Sequence, residues 1–387
     1  MKRLLASILI FLYIPCFAGC GYSHQVNEMA YVVAMGLDAC EGGVEVSLQF
    51  AKPLAIAGEV KSEETEGEEP VSENEGAALI SVGAIDIYTA INIIGNTLSK
   101  RINLTHCKLL LFSAELARGG ITEYTDILMK DNQFRPNTFA AVSLCKAKEY
   151  LKAVKPEMEM NPAKYYTRAF SKTTGSFIPE ATLRDLFINI HAEGQEAALP
   201  LVGQTAEEGG DGKASSGSFK PGELNKTAEN KTEISGMAAF FEGKMIRALP
   251  SRQAELYNLL TDKYKESYYS IPSQTEEGRF ITAKLYKRKK TKIRTEITDG
   301  CPKISVSVRL VAELFEYPGA DMQALGETGI ERAISENMQR ALTEFAEYTA
   351  AELKSDISGF GRHAKKSFPI LSSGGAMNGR KNSPPRL

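Results

Sequence analysis

The feature that most constrains the fold is an alternation of strand-type and helix-type segments between residues 78 and 154. Residues 78–84 (ALISVGA) predict a strand, and apolar residues then recur at helical spacing over 87–98, with Asp86 standing where a helix N-cap belongs. Two further strands, each followed by a helix-type segment, are predicted at 106–112 and 137–145. This order predicts an α/β domain with a partly parallel sheet, because each helix returns the chain to the start of the next strand.

A hairpin precedes this pattern, and an acidic stretch separates the two. Residues 29–37 and 44–50 predict strands, and the glycine-containing residues 40–43 predict the turn between them. Residues 59–76 are acidic and nearly free of apolar side chains, so burial cannot offset the entropy of ordering them, and we expect a disordered loop. The acidic stretch lacks the D-x-D-x-D-G spacing of a calcium loop, which favours a solvated loop over a cation site.

The C-terminal part has the pattern of an antiparallel sheet and one long helix. A hairpin turns at residues 241–244, and two long strands over 280–298 and 303–315 are joined by Asp299-Gly300. A helix over 327–354 follows, and its apolar face is formed by Ile330, Ile334, Met338, Leu342, Phe345 and Leu353. An antiparallel sheet covered by a helix is an α+β arrangement.

Together these patterns predict a multidomain chain of mixed α/β and α+β class, which 387 residues suffice to build. We expect an N-terminal α/β region over 20–203, in which a break into two subdomains near residue 157 stays open. A flexible linker rich in Gly, Ser, Glu and Lys is predicted over 204–232. A C-terminal α+β domain over 233–369 and a disordered tail over 370–387 complete the prediction.

The N-terminus has the features of a bacterial lipoprotein signal. Two basic residues precede an apolar stretch over 4–18, which is shorter than the roughly 20 residues of a membrane-spanning helix. This favours a cleaved signal peptide over 1–19 rather than an uncleaved anchor. The stretch ends in Ala18-Gly19-Cys20, which resembles the lipobox whose Cys is thioether-linked to diacylglycerol. Because two or three acyl chains such as palmitate hold a protein on a membrane almost permanently, Cys20 is the predicted lipid attachment site.

The other cysteines and the histidines predict neither a disulfide framework nor a metal site. Cys40, Cys107, Cys145 and Cys301 are widely spaced without a C-x-x-C pair, so we expect free, mostly buried thiols. His106, next to a predicted strand, is expected to be structural, and the four histidines show no metal-ligand spacing. No nucleophile-and-base set can be inferred from spacing. The sequence therefore predicts no catalytic residue, no metal and no cofactor.

Charge argues against nucleic acid as a partner. The chain carries 46 Lys and Arg against 48 Asp and Glu, for a net charge of −2, whereas binding by counterion release needs a basic excess. One basic run over 287–294 suggests contact with anionic lipid headgroups, where each charge is worth about 1 kcal/mol. A solvated hairpin face is the preferred interpretation of that run.

Several segments of the chain, taken together, match the sequence blocks of one family. They are VNEMAYVVAMGLD (26–38), the stretch 85–99, LTHCKLLLFSAELARGGI (104–121), DNQFRPNTFAAV (131–142) and ELKSDISGFGRHAKKSFP (352–369). These segments resemble the GerAC, or Ger(x)C, family, the lipoprotein C subunits of spore germinant receptors. The closing L-K-S-D-x-x-G-F-G is the most specific part. Two departures are Gly21-Tyr22 in place of the usual Trp-Asp, and the absence of a Trp after the closing block.

The resemblance implies a non-catalytic receptor subunit, tethered through Cys20 to the outer face of the spore inner membrane. Its implied partners are the receptor's A subunit, its multi-span B subunit and membrane lipid. The complex would detect nutrient germinants such as amino acids or sugars and trigger release of ions and dipicolinate. We interpret the closing block as a packing corner in which Ser355 or Asp356 caps a new turn and Gly359 and Gly361 permit close packing. A contact surface for a partner subunit is the alternative.

Two other classes stay open at this point. A membrane-tethered extracytoplasmic solute-binding lipoprotein would usually close two similar α/β lobes around a ligand, whereas the halves of this chain differ in class. An exported hydrolase would need a nucleophile and a base, which the sequence does not nominate.

Overall fold

The structure is a computed structural model that describes residues 28–52, 77–156, 158–159, 161–171, 176–205, 217–224, 226–298 and 301–366. Within these ranges a nine-stranded sheet with helices on both faces forms the N-terminal part. A three-stranded antiparallel sheet, a two-stranded ribbon and a long helix form the C-terminal part. The predicted signal peptide, Cys20, the acidic loop 59–76 and the tail 370–387 lie outside the described residues.

The strands are β1 Met29–Cys40, β2 Gly43–Ala51, β3 Ala77–Ala84, β4 Arg101–Asn103, β5 Leu109–Ser113, β6 Phe139–Ser143, β7 Ala198–Gln204, β8 Thr232–Phe241, β9 Lys244–Leu249, β10 Glu266–Pro272, β11 Phe280–Lys287, β12 Lys292–Thr298, β13 Cys301–Ser307 and β14 Leu310–Glu316. The helices are α1 Ile87–Thr97, α2 Ala114–Gly119, α3 Thr122–Lys130, α4 Ala147–Ala153, α5 Pro162–Ser171, α6 Leu183–His191, α7 Ser251–Leu260, α8 Gly319–Glu347 and α9 Phe360–Lys366. A π-helical segment, Tyr348–Glu352, continues α8.

The large sheet has the order β3-β2-β1-β5-β6-β7-β8-β9, and the short β4 pairs with the start of β1. Strands β1, β5, β6 and β7 run parallel in the centre, and antiparallel strands flank them on both sides. This confirms the partly parallel α/β sheet. The predicted first hairpin is also confirmed, since Cys40 pairs with Gly43 and Gly42 takes a φ of +74° in the two-residue turn.

Helix starts follow the local sequence signals. Asp86 is the N-cap of α1, and its side chain accepts a hydrogen bond from the Thr89 N–H, as predicted. Ser113 caps α2 in the same way. The helix-type segment after β5 is divided into α2 and α3 at Gly120, whose φ of +123° is open to glycine alone at little cost.

Three clusters of buried apolar side chains fill the fold. Helices α1, α2, α3 and α6 cover one face of the large sheet. Helices α4 and α5 cover part of the opposite face with Tyr150, Tyr166 and Phe170, so the segments before and after residue 157 pack on the same face. The remainder of that face, at β7 and β8, is covered by α7 and the C-terminal part, which share one continuous cluster with it.

The hairpin β8–β9 belongs to the large sheet, which differs from the prediction that the C-terminal sheet contains it. Its turn at 241–244 is confirmed, but β8 pairs with β7 from Thr232 opposite Gln204. The two ends of the predicted linker are therefore adjacent strands. Part of that linker, residues 217–224, is bound to the fold, since the Phe219 N–H donates to Ser251 Oγ and the Phe219 carbonyl accepts from the Ser251 N–H.

Each of the two predicted long C-terminal strands is divided in two. β11 pairs with β14 and β12 pairs with β13, while residues 288–291 and 308–309 lie outside the ladders. The first break coincides with Thr291, whose hydroxyl donates to the Leu259 carbonyl at the end of α7 over 2.7 Å. Beyond this break the ribbon β12–β13 lies against α9. The predicted turn at Asp299-Gly300 lies outside the described residues, between the paired Thr298 and Cys301.

The long helix is confirmed, and it begins earlier than predicted. α8 starts at Gly319 and is kinked at Gly326, whose φ of 65° lies outside the helical region. The predicted apolar face is buried at Ile330, Ile334, Met338 and Phe345. Among the described residues, no helix combines the length and the apolar character that crossing a membrane requires.

Candidate functional site

The opening family block forms the centre of the large sheet and caps a helix. Asp38, at the end of β1, accepts hydrogen bonds from the Ala147 N–H (2.7 Å) and the Lys148 N–H (3.0 Å), so it caps α4 from another element. Gly36 lies under the same helix, where an added Cβ would stand 3.0 Å from that of Ala147. Burial raises the pKa of the Asp38 carboxyl, against the two backbone hydrogen bonds, which lower it.

The second block, 104–121, contributes packing rather than reactive groups. His106 contacts the ring of Tyr31 edge to face, with 5.0 Å between ring centroids, and burial lowers the pKa of its imidazole. Cys107 is buried, and burial raises the pKa of its thiol to about 12. A thiol with that pKa is protonated and inert at neutral pH.

The third block, 131–142, ties a loop to two elements. Asp131 accepts hydrogen bonds from the Gln133 N–H (2.8 Å) and from the Tyr88 hydroxyl of α1 (3.0 Å). The Thr138 hydroxyl donates to the carbonyl of Cys107. The block therefore fixes the entry to β6 against the neighbouring strand β5.

The closing block folds into a compact turn, which we call the closing corner and define as residues 353–366. Lys354 has a φ of 52° and terminates the helical segment. The Asp356 carboxylate accepts hydrogen bonds from the N–H groups of Phe360 (2.9 Å) and Gly361, so it caps α9 as the sequence predicts for Ser355 or Asp356. Ser355 instead donates its hydroxyl to the carbonyl of Phe240, at the end of β8 (2.6 Å).

The closing corner docks on the loop between α6 and β7. The Glu196 N–H donates to the Asp356 carbonyl (2.9 Å), and the Arg362 N–H donates to the Gly194 carbonyl (2.8 Å). Gly194 has a φ of +75°, and a Cβ there would stand 2.8 Å from the carbonyl carbon of Gly361. Burial raises the pKa of the Asp356 carboxyl, although three backbone N–H groups lower it. The corner therefore fastens the C-terminal part to the N-terminal part.

The other cysteines and His191 have different environments. Cys145 is half-buried and free, as predicted, whereas Cys40 is exposed at the β1–β2 turn, which corrects its prediction as a buried thiol. Cys20 lies outside the described residues. His191 bonds to Asp126 over 2.7 Å. Within the described ranges, His, Cys, Asp and Glu form no group of three able to hold a metal ion.

The basic run over 287–294 is only partly a solvated face. Lys287 is almost enclosed, with 3% of its side chain exposed, and its Nζ lies 2.8 Å from Asp262 Oδ1. It also donates to the carbonyl of Leu259. Burial opposes ionisation of Asp262, but the hydrogen bonds that its carboxylate accepts from Lys287 and the Thr291 N–H, together with the charges of Lys287 and Lys290, outweigh that effect and lower the pKa of the carboxyl. Lys287 is therefore a structural residue that joins β11 to α7.

Sequence reasoning missed a buried polar cluster beneath the C-terminal sheet. Glu255 is completely buried, and it bonds to Arg252 Nη1 (2.7 Å) and to the hydroxyl of Ser267. The Arg252 guanidinium lies 3.8 Å from the centre of the Tyr269 ring. The three-residue spacing of Arg252 and Glu255 on α7 is the only local signal of this cluster. Its polar groups satisfy one another, which is the arrangement of a structural pair.

An open cleft of about 580 Å³ lies beside the start of β1, between the end of α1 and β4. The titratable residues that line it are Glu28, Lys100 and Arg101. These are neither a nucleophile with a base nor a metal-ligand set.

Comparison with known proteins identifies the family. Residues 22–204 match the spore germination protein N-terminal domain, and residues 235–372 match the family described as spore germination B3/GerAC like, C-terminal. The two matches span most of the chain, which therefore belongs to the GerAC family of spore germination proteins. The blocks described above fall inside the matched regions.

Individual relatives are distant. Spore germination protein KC of Bacillus subtilis (strain 168) is 20% identical over 387 residues, which covers 95% of this chain and 89% of that protein. The putative spore germination protein YfkR of the same organism is 24% identical over 150 residues, or 39% of this chain and 38% of that protein. The crystal structure of the GerBC protein superposes with a TM-score of 0.48 at 13% identity, covering 90% of this chain and 94% of that one.

Proposed function

We propose that this chain is the lipid-anchored, non-catalytic C subunit of a spore nutrient germinant receptor. It lies on the outer face of the spore inner membrane with the receptor's A and B subunits as its partners, and germinant-triggered germination requires it. The supporting observation is that the family matches cover both halves of the chain behind a lipobox-like Ala18-Gly19-Cys20.

The structural roles of residues in the family blocks support a subunit that acts by contacting its partner subunits and not by catalysis. Asp38 and Asp356 are the acidic residues that a catalytic interpretation would select, and both are engaged in capping helices. Cys107 is a protonated thiol, and His106 packs against an aromatic ring. The residues that define the family thus build the fold, and we assign germinant recognition to a surface formed with the partner subunits.

The anchor is tested by Cys20→Ala. Eight residue steps separate Cys20 from Glu28, the first described residue, and at about 3.4 Å per step they reach roughly 27 Å. The folded part therefore stays close to the headgroups. We expect Cys20→Ala to move the protein from the membrane to the soluble fraction, and Cys40→Ala, the control at an exposed thiol, to leave it on the membrane. A bare Cys20 in the mass spectrum of the native protein contradicts the anchor.

The receptor role is tested in spores. Deleting the gene should slow germination by nutrients and spare germination triggered by exogenous dipicolinate, because the latter bypasses the receptor. Equal loss of both responses contradicts a receptor role. Purified chain that binds a small molecule and closes around it, as measured by X-ray scattering, supports the tethered solute-binding alternative instead.

A further inference from the structure

The free edge of β3 lacks the features that usually protect an edge strand. In the order of the large sheet β3 is terminal, and among the described residues it pairs with β2 alone. Its sequence, AALISVGA, has no charged residue and no proline, and its pairing with β2 shows no bulge. Soluble proteins usually block such an edge with charge, proline or a bulge, because it otherwise accepts a further strand.

The other edge strands of the described chain all carry such protection. At the opposite end of the large sheet, β9 has Lys244 and Arg247. In the smaller sheet, β10 has Glu266 and Pro272, and β14 has two glutamates. The short β4 and the ribbon β12–β13 also contain basic residues. The unprotected edge is therefore specific to β3.

The hydrogen-bonding groups on this edge are set by the first hairpin. In a two-residue hairpin the flanking pair, here Cys40 and Gly43, is hydrogen-bonded, and bonded and non-bonded pairs then alternate. Following this alternation across β2, the even-numbered residues of β3 bond to β2. The N–H and C=O groups of the odd-numbered residues, Ala77, Leu79, Ser81 and Gly83, therefore point to the free edge.

The helix beside this edge is uncharged as well. Between residues 77 and 99 the only charged residue is Asp86, which is engaged as the N-cap of α1. Two large apolar side chains of this segment are exposed, Ile85 by 76% and Ile93 by 40%. β3 and α1 thus form one uncharged surface, which we call the β3–α1 surface.

We propose that the β3–α1 surface binds a second copy of this chain, with the two β3 strands paired antiparallel about a two-fold axis at Ile80. In this register Ala77 pairs with Gly83 of the second copy and Leu79 with Ser81, so all four outward-pointing residues make hydrogen bonds. The two Ile80 side chains meet on the face that α1 covers, where each already packs against the core. The axis is normal to the sheet, so both α1 helices lie on the same face.

The absence of charge on the β3–α1 surface favours a second copy of this chain over other binding partners. In an isologous interface a residue near the axis faces its own counterpart, so any charge there meets a like charge. An uncharged surface is what self-association requires, whereas a different partner is commonly selected by complementary charge. A membrane is excluded as the occupant because hydrocarbon leaves the outward N–H and C=O groups of β3 unsatisfied, at a cost of several kcal/mol each.

The register is tested by disulfide cross-linking of the chain from residue 20 onward, carrying Cys20→Ala and Cys40→Ser. Ile80→Cys places two thiols in a non-hydrogen-bonded pair about 4.5 Å apart at Cα, within disulfide range. Ala78→Cys is the matched control. Position 78 of one copy faces position 82 of the other in this register, so the two introduced thiols are offset by four residues along the strand, or about 13 Å. We expect covalent dimers from Ile80→Cys alone. Equal yields from both variants, or none from either, overturn the proposal.

The hydrogen bonds are tested by sedimentation equilibrium. The parent chain should be a concentration-dependent dimer, and Ser81→Pro should weaken the dimer about tenfold or more, because it removes an outward N–H from each copy. Ser81→Ala keeps that N–H and should leave the dimer intact. A parent chain that stays monomeric, or a Ser81→Pro dimer as tight as that of Ser81→Ala, overturns the proposal and leaves the edge to a strand of another protein.

Discussion

Two aspartates near opposite ends of the described chain, the buried Asp38 and the partly buried Asp356, stabilise different parts of the fold. Asp38, in the opening family block, caps α4 with two backbone hydrogen bonds. Asp356, in the closing block, caps α9 in a similar way. Burial raises the pKa of both carboxyl groups. Asp38 works within the N-terminal sheet and its helices, whereas Asp356 shapes the closing corner that docks on the loop at Gly194 and Glu196.

The difference shows that similar hydrogen bonding serves two purposes in this chain. The cap at Asp38 completes one structural layer, so its loss should weaken α4 and leave the docking of the C-terminal part intact. The cap at Asp356 holds a segment that joins the two parts of the chain. Loss of the Asp356 cap should expose the contact between the two parts to solvent. The variants below separate this effect from the loss of the Asp38 cap.

Gly194→Ala should have the largest effect. Its φ of +75° strains a side chain, and its Cβ would stand 2.8 Å from the backbone of Gly361, so docking must shift. We expect the free energy of unfolding in urea to fall by about 3 kcal/mol. Gly42→Ala is the matched control, with a φ of +74° and no atom within 4 Å of the added Cβ, and should lose only about 1 kcal/mol. Equal losses contradict a docking role for Gly194.

Asp356→Ala should have the next largest effect. It leaves the N–H groups of Phe360 and Gly361 without an acceptor, which lowers the free energy of unfolding by about 2 kcal/mol. Amide hydrogen exchange should accelerate in the closing corner and at residues 194–196. Asp356→Asn keeps one carbonyl acceptor and should recover part of the protection. Unchanged exchange at 194–196 in the alanine variant contradicts the joining role.

Asp38→Ala tests the other side of the comparison. It removes the acceptor for the first N–H groups of α4, and we expect a loss of about 1.5 kcal/mol in the free energy of unfolding. Faster amide exchange should be confined to α4 and the neighbouring strands. If residues 194–196 lose protection to the same degree as in Asp356→Ala, the two aspartates do not act at separate levels.

The pH dependence of stability should show the smallest effect. Because burial raises the pKa of Asp38 and Asp356, the folded chain binds more protons than the unfolded chain between the ordinary carboxyl pKa and the raised ones. Their contribution to the free energy of unfolding is therefore present at low pH and falls as pH rises through that window. Urea unfolding over this window should give a flatter profile for Asp38→Asn and for Asp356→Asn.

Asp321 provides the control of opposite sign. Burial alone raises the pKa of its carboxyl, but the hydrogen bonds that it accepts from Ser273 and Thr275 outweigh that effect, and the pKa is lowered. Its contribution is present above the unfolded pKa and is lost as pH falls through the folded one. Asp321→Asn should therefore reduce the loss of unfolding free energy at acid pH. If this variant changes the slope of unfolding free energy against pH in the same direction as Asp356→Asn does, this account is contradicted.

Elements that depend on neighbours in sequence could be predicted well. The β1–β2 hairpin, the Asp86 cap and the buried face of α8 all follow from local spacing and turn residues. The closing corner was predicted as a packing corner capped by Ser355 or Asp356, and the structure assigns the cap to Asp356. Its docking partner at Gly194 could not be predicted, because no local pattern specifies the surface on which a turn packs.

The sequence by itself determined the class of most elements, the lipobox-like Ala18-Gly19-Cys20 and the family. Only the tertiary structure decided that β8–β9 joins the large sheet, that a predicted long strand is interrupted where Thr291 bonds to α7, and that Asp38 caps a helix 109 positions away. The physical reason is the separation along the chain between the residues that interact. Periodicity and capping signals report interactions within about one turn or one hairpin, whereas these contacts form after long loops close, and their free energy depends on which distant surfaces fit together.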